Sequence, residues 1–171
     1  MKRSLLLLGL FLAVLLLFAG CAQESATDEG DFHHDHGDGD DHGHEHGEEP
    51  YEWSGVYSFN EGTYIMHFRE SGDPSVAVAF LFNEGDRDGS DHLAYHIMEV
   101  ELEEVVAGGE FEAYSEFGYN LLLNPDGTEI TFTISEAGDY LLYMEHLPEE
   151  FDLVITDSSG AELNASDEIT Y

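Results

Sequence analysis

Apolar periodicity begins only after Pro50, and this confines a folded core to the last 120 or so residues, the size of one ordinary domain. Beyond that point short β-branched and aromatic runs recur, broken by Gly, Asn and Asp turns. Trp53 to Phe59 and Thr63 to Arg69 flank Asn60-Glu61-Gly62, a three-residue connection that suits a hairpin. Val76 to Phe82 reads as a buried strand ended by Asn83-Glu84-Gly85. Thr128 to Ile134 and Asp139 to Glu145 follow the turns Asn124-Pro125-Asp126-Gly127 and Glu136-Ala137-Gly138, and Phe151 to Thr156 precedes Asp157-Ser158-Ser159-Gly160. Strands spaced in this way predict an all-β fold, a single β-sandwich over residues 51–171.

One segment reads two ways. Glu99, Glu101 and Glu103 alternate with Met98, Val100 and Leu102, as in a strand with one wet face, while a helix from His92 to Val106 is the competing assignment.

The N-terminal fifty residues follow other rules. Lys2 and Arg3 precede an unbroken apolar run from Leu5 to Ala19, the charged and apolar regions of a secretory signal. That run is short against the ~20 residues a membrane span needs. It ends in Phe18-Ala19-Gly20-Cys21, which resembles the lipobox of bacterial and archaeal lipoproteins, although Phe18 stands where Leu is commoner. The resemblance implies that residues 1–20 are removed as a lipoprotein signal peptide. Cys21 would then carry the lipid and anchor the chain to a membrane on its extracytoplasmic side, periplasmic or cell-surface. Cys21 is also the only cysteine, so no intrachain disulfide can form.

Formal net charge is −34, and loss of residues 1–20 removes Lys2 and Arg3 but no acid, leaving −36 and no lysine. Arg69 and Arg87 are then the only fixed cations, so phosphate backbones are repelled and nucleic acid is excluded as a partner. The acidity fits a field that concentrates cations, and equally a surface kept hydrated in a high-salt medium.

Residues 21–50 form a lipidated, His-rich tether with no apolar periodicity and little to bury, which predicts disorder without metal. A flexible chain of that length spans roughly 30 Å. Within it His33, His34, His36, His42, His44 and His46 put six histidines into fourteen positions, interleaved with Gly, Asp and Glu. Imidazole is a common ligand of zinc, copper and nickel, and His-x-His spacing on a glycine-rich backbone lets several rings converge on one ion. Such a tract buffers or captures an ion with modest selectivity, because it imposes no fixed geometry.

Thr131-Phe132-Thr133-Ile134, Ala137-Gly138-Asp139-Tyr140 and Phe151-Asp152-Leu153-Val154-Ile155 resemble the closing strands of jelly-roll sandwich modules of secreted proteins. The His/Asp/Glu tract followed by Glu52-Trp53-Ser54-Gly55-Val56-Tyr57, Gly62-Thr63-Tyr64 and Met144-Glu145-His146-Leu147-Pro148-Glu149-Glu150-Phe151 is similar to small bacterial and archaeal lipoproteins of the same build. That likeness implies a jelly-roll-like sandwich behind a metal-binding tract and carries no activity.

Four histidines lie in the domain itself: His67, His92, His96 and His146. His92 and His96, four apart, share a face on helix or strand and can chelate in either. Strand parity puts His146 with Tyr140, Leu142 and Met144 on the buried side, and His67 with Ile65 and Arg69. Met66, Met98 and Met144 neighbour these histidines, and a thioether beside an imidazole would favour copper. The alternative for each is a hydrogen-bonded structural histidine or a core methionine. Asp86-Arg87-Asp88-Gly89-Ser90-Asp91 could offer oxygens to Ca2+, but it lacks the spacing and terminal glutamate of an EF-hand, so calcium is disfavoured.

No nucleophile elbow, His-Glu-x-x-His or phosphate-binding glycine loop occurs, so an enzyme is not expected. The sequence therefore predicts a membrane-anchored extracytoplasmic lipoprotein that captures, buffers or delivers a divalent transition metal. Zn2+ comes first, with Cu, Ni or Co as other cargoes and a metal transporter as a partner. The competing expectation is a surface β-sandwich interaction module for glycan or protein, with the tract as a spacer.

Overall fold

The computed structural model describes residues 48–69 and 72–171. The leader, Cys21 and the tract histidines His33, His34, His36, His42, His44 and His46 lie outside the described residues. Among the described residues two sheets pack together as a β-sandwich with one α-helix. The strands are β1 (Trp53–Phe59), β2 (Gly62–Phe68), β3 (Ser75–Phe82), β4 (Glu103–Val105), β5 (Glu110–Glu112), β6 (Phe117–Leu122), β7 (Thr128–Ile134), β8 (Gly138–Met144), β9 (Val154–Asp157), β10 (Glu162–Leu163) and β11 (Ser166–Thr170). Helix α1 (Arg87–Met98) follows β3, and a 3-10 turn (Pro148–Phe151) follows β8. One sheet runs β11-β1-β8-β3-β6-β4, the other β10-β9-β2-β7-β5. Pairing is antiparallel except for β4 with β6 and β5 with β7.

The second sheet shows the period-2 logic of a half-buried surface. Tyr64, Met66 and Phe68 of β2 and Ile130, Phe132 and Ile134 of β7 point into the sandwich, whereas Glu129 and Thr133 are exposed. The first sheet is different at its centre. Tyr140 to Met144 of β8 are all buried, because Tyr140, Leu142 and Met144 face the sandwich core while Leu141 and Tyr143 face a second cluster under α1. That cluster also holds Tyr51, Val56, Ala79, Leu81, Ala94 and Met98. A strand covered on both faces reads as a continuous apolar run, which is what the sequence of β8 displays.

Two local expectations are corrected. The Asn60-Glu61-Gly62 connection is not a hairpin: β1 pairs with β8 and β11, β2 with β7 and β9, so the link crosses from one sheet to the other. Core burial decides this, since Phe59 and Tyr64 meet edge to face at 4.8 Å inside the sandwich. The Tyr64 hydroxyl fixes the crossing by accepting the Asn60 N–H at 2.9 Å and donating to the Asn60 carbonyl at 3.0 Å.

The Glu99–Glu103 alternation does not make a strand of that length, nor does a helix run from His92 to Val106. The helix starts earlier, where the Asp86 side chain accepts the Gly89 N–H as an N-cap, and it ends at Met98. Leu93, Ala94, Ile97 and Met98 supply its apolar face. Val100 is 65% exposed, and beyond the helix only Leu102, half-buried against Gly118, turns inward before Val105. The acidic segment read as a candidate calcium turn is thus a helix cap and first turn.

Gly55 has a steric reason: a Cβ there would stand 2.6 Å from the Trp53 ring and 2.9 Å from Ala165, where β11 closes on β1.

Burial also holds several tyrosines protonated. The Tyr57 and Tyr119 hydroxyls are pushed up to about 12, mainly by burial, and Tyr143 is raised further by burial and its bond to Asp91. An unfolded tyrosine ionises near pH ~10. Above that pH the unfolded chain holds fewer protons than the folded one, so stability is intact below pH ~10 and falls as pH rises toward 12. Urea midpoints should therefore drop between about pH 10 and 12, with phenolate absorbance rising in step with unfolding. Smooth early ionisation of all tyrosines in the folded protein would contradict this packing.

Candidate metal centre

The register that pairs Trp53 with Met144 brings the start of β1 beside the chain leaving β8. Glu52 is fixed there by its backbone, its N–H donating to the Met144 carbonyl at 3.0 Å and its carbonyl accepting from the Tyr171 N–H at 2.9 Å. Past Met144 the 3-10 turn brings Glu150 back towards His146, its N–H donating to the Leu147 carbonyl at 3.0 Å. One donor atom from each of Glu52, His146 and Glu150 lies within 4.8 Å of the others. Glu52 Oε2 and His146 Nδ1 are 4.0 Å apart. The imidazole is half-buried and its ring leans on Phe151 at 6.1 Å, whereas both carboxylates are exposed. Glu145 is not part of the group; its Oε2 accepts the Ala77 N–H at 3.0 Å.

A zinc ion about 2.1 Å from each donor would hold tetrahedral ligands about 3.4 Å apart. The donors must close by up to roughly 1.4 Å, a motion within the rotamer freedom of exposed glutamates.

The other histidines are placed separately from this group. His92 and His96 sit on the exposed side of α1 with ring centroids 4.6 Å apart and nearly perpendicular, so the pair can offer two ligands. His67 lies on the outer side of β2, with Nδ1 3.2 Å from Glu129 Oε1 and Nε2 2.9 Å from Thr156 Oγ1. Nδ1 faces the Glu129 carboxylate and Nε2 shares a hydrogen with Thr156, so an ion at either nitrogen would displace a contact already made.

The methionines are core residues: Met66 and Met144 are 0% exposed and Met98 is 8% exposed, which removes the thioether support for a copper site. Sequence reasoning singled out His146 but not its partners. With acids so abundant, Glu52 and Glu150 carry no mark of their own; only strand register brings them together.

Beneath α1 lies a polar knot that sequence gave no sign of. Arg87 donates through Nη2 to Ser54 Oγ and, at 3.2 Å, to the Tyr171 hydroxyl. Its Nε faces Asp91 Oδ1 at 3.2 Å as an ion pair rather than an aligned hydrogen bond. That carboxylate accepts from Tyr143 at 2.7 Å and Tyr171 at 2.6 Å, and Tyr51 donates to the Asp91 carbonyl at 3.0 Å. Ser54 and Tyr171 hydroxyls are 2.9 Å apart; since Tyr171 gives its proton to Asp91, Ser54 donates to Tyr171. The knot fixes α1, and with it His92 and His96, to the sheet.

Comparison with family models, curated proteins and solved structures returns no match.

Replacing Asp91 by alanine strips the acceptor from Arg87, Tyr143 and Tyr171 at once. The pair is about a quarter exposed, so the expected loss is roughly 2–3 kcal/mol, below that for a fully buried pair. Asp91→Asn should lose less. Urea unfolding and amide exchange along α1 measure both, and an unchanged midpoint for Asp91→Ala would show the knot to be energetically idle.

Proposed function

We propose that the protein is an extracytoplasmic lipoprotein, anchored through Cys21, that captures and buffers a divalent transition metal and delivers it to a membrane transporter. Zinc is the first choice of cargo, with nickel, cobalt and copper(II) as others that imidazole accepts. The observation that carries this reading is the density of imidazole in the tract, His33 to His46, with six rings in fourteen positions. Binding, rather than catalysis, is the role. The sandwich is of jelly-roll type, supported by the order β1-β8-β3-β6 in one sheet and by the β2-β7 pair in the other.

Changing all six tract histidines to asparagine in the chain that begins at Cys21 should abolish most of the zinc equivalents seen by calorimetry, without moving the urea midpoint of the domain. Equal stoichiometry and affinity in that variant would sink the reading.

A specific observation favours a second reading, a surface module for glycan. Tyr114 and Phe117 are 51% and 42% exposed, and their rings lie 6.4 Å apart. The Tyr114 hydroxyl donates to Glu112 Oε2 at 2.5 Å. An aromatic face beside a carboxylate is a platform on which a sugar ring can stack. On this reading Tyr114→Ala and Phe117→Ala each weaken retention on a glycan array by roughly tenfold, about 1.4 kcal/mol, while the tract variant behaves as the parent. Array binding that is absent in the parent discards it.

A further inference from the structure

We propose that Glu52, His146 and Glu150 form an exchangeable site for one divalent ion, zinc or cobalt by its chemistry, on the folded domain itself. The inference rests on the reading of the chain as a metal-handling protein, and adds where on the domain the ion sits and why it can leave.

The three ligands come from three different places, the entry to β1, the exit from β8 and the 3-10 turn, and converge to within 4.8 Å. Two of the three backbones are held by hydrogen bonds to neighbouring elements or turns, at Glu52 and at Glu150. His146 is set by its ring packing on the fully buried Phe151. Adaptable exposed carboxylates around one oriented imidazole can contract onto an ion without disturbing the sandwich.

The donor set selects the class of ion. One imidazole and two carboxylates carry a charge that a dication neutralises. Nitrogen among the ligands disfavours calcium and magnesium, which take oxygen shells. Thiolate is absent from the domain because Cys21 is the only cysteine, and thioether is withheld because the neighbouring methionines are buried. Copper(I), which prefers soft sulfur, is therefore disfavoured, and the divalent transition ions that a mixed imidazole–carboxylate set accepts remain, zinc and cobalt(II) among them.

Local charge points the same way. The two carboxylates repel each other across the group, and the domain has little with which to offset them. It contains no lysine; Arg69 is paired with Asp152 at 3.9 Å and Arg87 with Asp91 at 3.2 Å. A bound dication supplies the missing positive charge.

Three protein ligands leave at least one tetrahedral position to water or to an incoming ligand. A closed four-ligand site retains its ion for structure. An open and solvent-facing one accepts an ion from a donor such as an imidazole-rich tract, and yields it to a stronger chelator by way of the free position.

The test uses the chain beginning at Cys21 with the six tract histidines changed to asparagine, which isolates the domain's own affinity in an intact protein. Cobalt titration should give visible d–d absorption saturating at one ion per chain, bleached by one equivalent of zinc. Glu52→Gln, Glu150→Gln and His146→Gln, added singly to that background, should each weaken zinc by at least about tenfold, with the metal-free urea midpoint unchanged. The two glutamate variants alter exposed side chains, so they report on binding even if His146→Gln perturbs folding. His92→Gln with His96→Gln should leave the affinity as it was. No saturable binding in the tract-free background overturns the proposal while leaving the tract reading intact. Binding that survives Glu52→Gln with Glu150→Gln, or that vanishes with the α1 pair instead, overturns it too. If the unmodified chain also binds no zinc, the metal reading falls as a whole.

Discussion

The rest of the structure depends on the burial of β8 on both of its faces. Tyr140, Leu142 and Met144 fill the sandwich, and Leu141 and Tyr143 take up the underside of α1. At roughly 1.5–3 kcal/mol per large apolar side chain, those five residues represent gross burial comparable to the whole net stability of a small domain. This strand also sets the register of β1 and β3 on either side of it. Through β1 that register fixes Glu52, and through its own exit it fixes His146. The candidate metal centre is thus a by-product of the pairing that builds the core.

Electrostatics supplies the second constraint. A chain with so few cations cannot distribute compensating charge over its surface, and the two arginines of the domain are each committed to a carboxylate. Where acids converge, relief must come from hydrogen-bond donors, from imidazole or from ions in solution. The Asp91 knot uses the first route, with three tyrosines and an arginine around one residue. Glu129 uses the second, through His67, and Glu52 has His146.

Strands with strong alternation or unbroken apolar runs were legible from sequence. Val76 to Phe82, Thr128 to Ile134 and Asp139 to Glu145 match β3, β7 and β8 to within a residue or so. The strands left unread, β4, β5, β6, β10 and β11, are short or interrupted by glycine and polar residues, where local pattern is weak and partner pairing decides. The Asn60–Gly62 link looked like a hairpin because turn chemistry is the same whether a chain folds back in its own sheet or crosses to the facing one. Helix α1 announced itself only through Asp86 as cap and the spacing of Leu93, Ala94, Ile97 and Met98, a signal obscured by the alternating glutamates after it. His146 was legible as a candidate ligand by its residue type. Its glutamate partners were not, since proximity through β-register leaves no trace in a sequence rich in acids.

The two arginines of the domain also differ in how they face the surroundings. The Arg69 side chain is 72% exposed at the end of β2, while Arg87 is drawn under α1 into the Ser54–Asp91–Tyr171 knot at 24% exposure. A protease of tryptic specificity must grip a basic side chain on a segment that can enter its cleft. In the folded domain it meets one such handle rather than two, and amine-directed crosslinkers meet no lysine in it. Scarcity of positive charge thus makes the sandwich nearly opaque to the enzymes and reagents that find proteins by their basic residues.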